Sequence, residues 1–526
     1  MATEPELMFS THADPMDRQA APPPGIGWRS WSRWLWSRLT SMRTALILLL
    51  LLGIAAIPGS LVPQRTSDPF AVNTLVQDNP TLAEWYERLG LFDVYGSIWF
   101  SAIYLLLFLS LLGCLIPRAR QHFRMWRRSP GPPPANLDRL PNTAHLICDD
   151  PDGQLQHAEE VMRKQRWRVR TGDGWVAGEK GFWRENGNQI FHFSLLGVLA
   201  AVGIGALGGW QGNVVLVEER GFSNTITQYD TFTAGRFANT DDLPPFSIQL
   251  QDFEVDFERG QAQRGAPRDF RAQVAITPEP GQPSEQQVFG VNDPIVLDDA
   301  KVFLIGHGYA PQIIVRDTDG EVVFDDSVVF LPQDGNFTSV GVVKVPDNDP
   351  QLGFRGLFLP TAALDQEAGP ISLFPAPDSP GLFMSAFTGD LGLDSGEPQN
   401  VYQLDDSDME QIALRGLIPG DTWELPEGAG SVEFVGFNRW ISVKVARDPG
   451  GVWALAFVGT AILGLSMSLF IRRRRVWVLR GAGDVTVGGV ARGERTDLDD
   501  ELDDIVAELD GQLAGEDPLP QEGVSR

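Results

Sequence analysis

The chain has 526 residues, and its 69 Asp and Glu against 42 Lys and Arg give a formal net charge of −27. This acidic balance argues against nucleic acid as a partner. Two cysteines are present without a Cys-x-x-Cys motif, which argues against a thiol oxidoreductase and against a protein that carries haem covalently.

The first forty residues, 1–40, combine two kinds of sequence. Residues 1–26 are polar and contain prolines, so we expect them to be disordered. Tryptophans interleaved with arginines follow, and this pattern predicts an interfacial helix on the inner membrane surface. These tryptophans are Trp28, Trp31, Trp34 and Trp36.

Four apolar segments, none with a Lys, Arg, Asp or Glu, approach the length of about 20 residues that a helix needs to cross a bilayer. Their expected bounds are 44–61, 98–116, 190–207 and 451–471. The first could instead be a cleaved signal peptide, since arginines precede its leucine-rich core. Three further segments make a multi-spanning protein the simpler interpretation.

The Arg residues beside these segments predict their orientation. Clusters stand before the first span, after the second and after the fourth, and all share one side if the N-terminus is cytoplasmic. Residues 62–97 and 211–450 then lie outside, whereas 117–189 and 472–526 lie inside, so both termini are cytoplasmic. The clusters are Arg29, Arg33, Arg38 and Arg43; Arg118, Arg120, Arg124, Arg127 and Arg128; and Arg472, Arg473, Arg474 and Arg475.

The predicted inner loop, 117–189, contains the pattern of a small α/β module of unknown role. Residues 143–148 predict a strand, 154–165 a helix, and 167–170 with 174–177 a hairpin.

The predicted outer region, 211–450, holds 38 Asp and Glu against 14 Lys and Arg and so carries most of the net negative charge. Apolar residues alternate with polar ones in segments such as 246–257, 301–305, 312–316 and 321–324, which predicts strands. The fold class is therefore an α-helical membrane protein with four transmembrane helices and a large, mainly β extracytoplasmic domain. No catalytic or metal-ligand spacing stands out, so we assign neither.

The one histidine of this outer region is His307, which we expect at a strand-to-turn transition between Gly306 and Gly308. A lone histidine there is more often structural or solvated than a ligand. We keep His307 as a secondary candidate for cofactor binding.

The acidic tail, 472–526, predicts an amphipathic helix over 497–513. This helix could be a dock for a partner or a marginal helix exposed to solvent. Its apolar positions are Leu498, Leu502, Ile505, Val506, Leu509 and Leu513.

The best clue to function is His192, which lies in the apolar segment 190–207. An ionisable side chain at membrane depth is costly and marks a functional site by default, and imidazole ligates haem iron. A histidine near a span end can also bond a neighbouring carbonyl, or reach toward the interface, and do nothing else. Both interpretations stay open from the residues alone.

Short motifs and the order of the spans together resemble a known family. The motifs are Ser41-Met-Arg-Thr-Ala-Leu-Ile-Leu48, Ile57-Pro-Gly-Ser-Leu-Val-Pro-Gln64, Leu112-Gly-Cys-Leu-Ile-Pro-Arg118, Val291-Asn-Asp-Pro-Ile295, His307-Gly-Tyr-Ala-Pro311 and Arg447-Asp-Pro-Gly-Gly451. With three spans, a large outer domain and a fourth span, they resemble the ResB family of the System II (Ccs) pathway of cytochrome c biogenesis. The resemblance covers about residues 40–480.

The resemblance implies a bacterial cell-membrane subunit for haem delivery and for covalent haem attachment to apocytochrome c. In that family the histidine of the third span is proposed as an axial ligand of transiently bound haem, and His192 matches it. The resemblance also implies a ResC/CcsA-type membrane partner that supplies the second ligand, and a thiol-reducing thioredoxin-like protein. The chain would be at most one subunit of a holocytochrome c synthase. The alternative is a non-enzymatic membrane scaffold or envelope sensor.

Overall fold

The computed structural model describes residues 27–67, 69–127, 130–140, 142–241, 243–367, 369–393, 402–491 and 496–515. The expected disorder of 1–26 lies outside the described residues. Helices within them are α1 Trp28–Leu39, α2 Met42–Leu61, α3 Pro69–Asp78, α4 Pro80–Leu89, α5 Ile98–Trp126, α6 Pro151–Lys164, α7 Trp183–Gly208, α8 Gly451–Phe470 and α9 Thr496–Gly515.

Among the described residues, four helices are long and apolar enough to cross a membrane: α2, α5, α7 and α8. They confirm the four membrane helices that the sequence predicts. Two are longer than the apolar segments, since α5 continues to Trp126 and α7 begins at Trp183. Helical hydrogen bonding extends into the polar flanks because Arg, Gln and Glu are good helix formers whose polar ends can remain in water.

The chain divides into two compact units. The first holds 1–62, 86–196 and 458–526, and it contains the small α/β module. The sheet of this module has the order β1-β23-β22-β3-β2. Its strands are β1 Asn142–Ile147, β2 Arg168–Gly172, β3 Trp175–Lys180, β22 Arg474–Arg480 and β23 Asp484–Ala491.

The loop 117–189 and the tail, which the sequence interpretation separates, therefore form one module. β22 pairs with both β3 and β23, so the tail supplies the centre of the sheet. The apolar face of α9 packs on this sheet, with Leu502, Ile505 and Leu509 buried. The expectation of an exposed helix or a partner dock is wrong for this face, because the chain's own strands cover it.

The second unit holds 63–85 and 197–457, and it is mainly β. Its largest sheet has the order β10-β11-β21-β4-β6, with β12 paired to β11 and β20 to β21. Two further sheets have the orders β13-β14-β15-β18-β19 and β5-β7-β8-β9, and β16 pairs with β17. The strands are β4 Trp210–Val217, β5 Gly221–Ser223, β6 Thr231–Ala234, β7 Ser247–Phe257, β8 Pro267–Thr277, β9 Glu285–Phe289, β10 Ile295–Leu297, β11 Ala300–Arg316, β12 Val322–Ser327, β13 Leu331–Pro332, β14 Ser339–Val345, β15 Leu352–Leu359, β16 Ala362–Asp365, β17 Gly369–Ser372, β18 Gly381–Gly389, β19 Met409–Leu417, β20 Asp421–Glu424 and β21 Ser431–Arg447.

β11 and β21 run the length of this unit as one antiparallel pair, from Lys301 opposite Ala446 to Arg316 opposite Ser431. The separate strands predicted at 301–305 and 312–316 are one strand. His307 lies in its middle, opposite Ile441, so the expected strand-to-turn transition is wrong. Irregular register beside Gly306 bends the strand without ending it.

Candidate functional site

His192 lies in α7, and its Nδ1 is 2.8 Å from the backbone carbonyl oxygen of Asn188. A carbonyl oxygen only accepts hydrogen bonds, so the neutral ring carries its proton on Nδ1. The lone pair is then on Nε2, which is the arrangement that an imidazole needs to ligate a metal. A bond to a neighbouring carbonyl is also what we expect if His192 has only a structural role. It occupies Nδ1, however, and leaves Nε2 available.

Small residues bring α7 and α8 close together in the first unit. A Cβ on Gly464 would lie 2.8 Å from the Gly187 carbonyl oxygen, and the Ser194 and Thr460 hydroxyls are 2.8 Å apart. At 100° per residue, His192 lies about 140–160° around α7 from Gly187 and Ser194. Its side chain therefore projects from the side of α7 that faces away from α8.

The surroundings of His192 on this side are apolar and partly open. Its ring meets that of Phe191 edge to face, with centroids 5.2 Å apart. Phe193 and Leu195 are both exposed on the helix surface. An apolar, incompletely covered setting around an imidazole nitrogen suits a flat hydrophobic ligand or a neighbouring subunit.

The sequence interpretation missed His122, because it ended the second span at 116. The continuation of α5 brings His122 to the first turns of α7. There Nε2 is 2.6 Å from the amide oxygen of Asn186, Nδ1 is 3.5 Å from the Glu185 carboxylate, and the ring stacks on Phe182 at 5.2 Å. Both ring nitrogens face oxygen atoms, so His122 presents neither of them to iron.

Ion pairs hold the start of α7 against the module. Glu179, a buried residue of β3, pairs with Arg473 and, at 3.1 Å, with Arg475. Arg473 also pairs with Glu185 in the first turn of α7. The sequence interpretation uses these arginines only as markers of orientation. In the structure, their ion pairs also connect β22, β3 and α7.

His307, in the second unit, is enclosed by phenylalanine rings. It stacks on Phe337 with centroids 4.7 Å apart, and the rings of Phe253 and Phe270 lie at 5.4 and 5.5 Å. Burial, helped by the nearby positive charge of Arg439, lowers the pKa of His307 from 6.5 to about 4. The imidazole is therefore neutral at physiological pH, and the expectation that His307 is structural fits this packing better than solvation does.

The same side chain lines a cavity of about 540 Å³ in the second unit. Trp440 of β21 and residues of α3, including Thr74 and Asp78, contribute to its walls. A neutral imidazole at the wall of a cavity can accept a hydrogen bond or ligate iron. His192 and His307 belong to different compact units, so the structure describes two separate candidate positions.

Four helices long and apolar enough to cross a membrane, a small α/β module and a large β region define an integral membrane protein, and the third of these helices holds a histidine. The chain belongs to the ResB-like family, whose sequence model matches residues 42–503.

Several curated proteins with similar sequences share the name cytochrome c biogenesis protein CcsB. The protein from Synechococcus elongatus is 22% identical over 506 residues, which cover 94% of this chain and 97% of that protein. The protein from Synechococcus sp. strain RCC307 is 24% identical, covering 88% of this chain and 94% of its own length. A match to the protein from strain CC9311 is 27% identical and spans 50% of this chain and 57% of that protein.

Proposed function

We propose that this chain is a bacterial membrane subunit in cytochrome c biogenesis and that His192 is an axial ligand for haem in transit. Family membership and the name shared by the CcsB relatives support the pathway. They fit this function and not the scaffold or sensor alternative. The observation that carries the haem assignment is the Nδ1 bond of His192 to Asn188, which selects the tautomer whose lone pair is on Nε2.

The topology that we propose places 211–450 outside the cytoplasm and both termini inside. Strands from the loop between α5 and α7 pair with strands that follow α8. Since one sheet cannot form across a bilayer, the end of α5, the start of α7 and the end of α8 share a side. The arginine clusters support a cytoplasmic position for the module, and the β region would then lie on the opposite side of the membrane.

One histidine supplies one axial ligand, so a six-coordinate iron needs a second ligand from elsewhere. His122 does not offer one, because both of its nitrogens face oxygens. We therefore propose that a ResC/CcsA-type membrane subunit supplies the second ligand. Apocytochrome c would accept the haem, and a thiol-reducing thioredoxin-like protein would keep its cysteines reduced. The chain is then one half of a synthase, and no catalytic residue is assigned to it.

The experiment is to purify the chain together with its ResC/CcsA-type partner and to record the haem spectrum of the wild type and of His192→Gly. The variant should lose the spectrum of histidine-ligated haem and lower cytochrome c maturation, and added imidazole should restore both. Unchanged haem content and unchanged cytochrome c maturation in His192→Gly would contradict the assignment of His192 as a ligand.

His307 is a second, separate candidate ligand, because its neutral imidazole lines a cavity. His307→Ala should leave haem in the membrane helices intact. A loss comparable to that of His192→Gly would mean that the two histidines serve one site.

A further inference from the structure

A cleft of about 590 Å³ opens in the first unit, where the small α/β module meets the start of α7. Four basic side chains line the cleft. Arg127 directly follows α5 and Arg166 precedes β2, whereas Arg168 begins β2 and Lys180 ends β3. One carboxylate, Glu179, also lines the cleft. Four cations and one anion give this cleft a positive charge in a chain whose net charge is strongly negative.

The anion in the cleft does not cancel the cations around it. The side chain of Glu179 is buried and is already paired with Arg473 and Arg475, neither of which lines the cleft. Lys180 is paired with Glu501 at 3.0 Å. Within the described part of the chain, no ion pair is recorded for Arg127 or Arg166, and both are exposed. These two guanidinium groups are the cations that an incoming carboxylate would meet.

Aromatic side chains stand beside the cations. Phe182 is covered, since His122 stacks on it and Arg473 lies 5.2 Å from its centroid. Trp183 is different: it lines the cleft and remains 60% exposed. An exposed indole beside two guanidinium groups fits a flat, apolar molecule with carboxylates on one edge.

The cleft is distinct from the position of His192. Asn186, which lines the cleft, precedes His192 by six residues, or about 9 Å along α7. The two side chains are also separated by about 120° around the helix. A ligand held in the cleft therefore does not reach Nε2 of His192 without moving.

We propose that this basic, Trp183-edged cleft binds haem through its propionate carboxylates, as a docking site that haem occupies before His192 ligates the iron. The inference rests on the proposed haem function. In this docking site, Arg127 and Arg166 form ion pairs with the two propionate carboxylates, and the porphyrin ring lies on the indole of Trp183. An anionic lipid headgroup would use the same cations but not the flat aromatic surface, and the experiment separates the two ligands.

The test is an absorbance titration of the full-length His192→Gly chain in nanodiscs of neutral phosphatidylcholine, with haemin and with haemin dimethyl ester as probes, because haem that has moved on to His192 no longer reports the affinity of the cleft. Arg127→Gln and Arg166→Gln should each weaken haemin binding by about tenfold, since each removes one charge-assisted hydrogen-bond donor. Arg166→Lys should recover part of the loss. Binding of the dimethyl ester, which has no carboxylates, should be the same in all of these proteins.

Arg163→Gln is the matched control, because Arg163 is exposed on α6, pairs with Glu159 and does not line the cleft. In the same background it should bind haemin as tightly as His192→Gly alone. In chains that retain His192, the cleft variants should reach the wild-type spectrum at saturation but should reach it more slowly, whereas His192→Gly should change the spectrum and keep the dependence on Arg166. The two proposals can therefore fail independently.

Equal weakening of haemin and its ester, or equal affinities of Arg166→Gln and Arg163→Gln for haemin, would overturn the proposal. In a second set of nanodiscs that contain both phosphatidylcholine and phosphatidylglycerol, the enrichment of phosphatidylglycerol around the chain is measured. Its loss in Arg166→Gln, together with an unchanged haemin affinity, would assign the cleft to lipid and would overturn the proposal as well.

Discussion

The pKa of His307 makes the β region sensitive to acid in a way that a single substitution should abolish. Its folded pKa of about 4 lies below the reference value of 6.5. Above pH 6.5 the imidazole is neutral in the folded and unfolded states. Between pH 6.5 and 4 the unfolded state binds a proton that the folded state excludes, so the free energy of unfolding falls as pH falls.

The size of this effect follows from the shift. Each pKa unit corresponds to about 1.4 kcal/mol, so the loss is about 2.5 kcal/mol at pH 4.5 and approaches about 3.4 kcal/mol at lower pH. His307→Leu fills the phenylalanine cage with an apolar side chain that cannot titrate. Other groups, such as Glu218, whose pKa is raised by burial, are common to both proteins and cancel in the comparison.

Hydrogen–deuterium exchange of peptides from β11, corrected for intrinsic rates, measures this local stability without requiring two-state unfolding of the whole membrane protein. Between pH 7 and 4.5, wild-type β11 should lose about 2.5 kcal/mol more protection free energy than β11 of His307→Leu. Equal losses in the two proteins would refute the reasoning. So would a His307 pKa near 6.5 by nitrogen NMR of the six histidines.

Two further substitutions test the packing of the first unit, each against a control on the same helix. Gly464→Leu should force α8 away from α7, because a Cβ there would lie 2.6 Å from the Phe191 backbone nitrogen. The substitution should cost about 1–3 kcal/mol of stability, measured as a lower Tm in detergent. Gly459→Leu is the control and should not lower the Tm, since a Cβ there meets no atom within 4 Å; equal Tm values for the two variants would contradict the packing. Ile505→Ala should destabilise the module by about 2–5 kcal/mol and speed proteolysis of the tail, because Ile505 is fully buried. Asp504→Ala is the control and should do neither, since Asp504 is exposed. Equal digestion rates for the two variants would show that α9 is not part of the core.

The cleft shows why the module could be predicted only in part. The strands and helix of 142–180 follow from local patterns, and the observed β1, α6, β2 and β3 lie close to the predicted segments. Nothing local indicates that 474–491 pairs with them, because an isolated β pattern does not name its partner strand. The surroundings of Glu179 and the walls of the cleft depend on that pairing.

The two predicted site histidines show the same division. His192 is detectable from sequence because an ionisable residue stands out in an apolar run, and its position in a helix fixes the local bond to Asn188. The interpretation of His307 needed the fold, since its phenylalanine neighbours come from distant strands and loops. His122 was missed because the end of apolarity is not the end of a helix.

The sequence by itself determined the four membrane helices, the mainly β character of the large region and the histidine in the third helix. Hydropathy and alternation are local properties, and the bilayer responds to them over a single helix length. The tertiary structure alone decided that the tail completes the α/β module, that phenylalanine rings surround an uncharged His307, and that basic side chains near the end of α5, the end of β3 and the start of β2 meet in one cleft. These features are contacts between residues far apart in the chain, which no local pattern encodes.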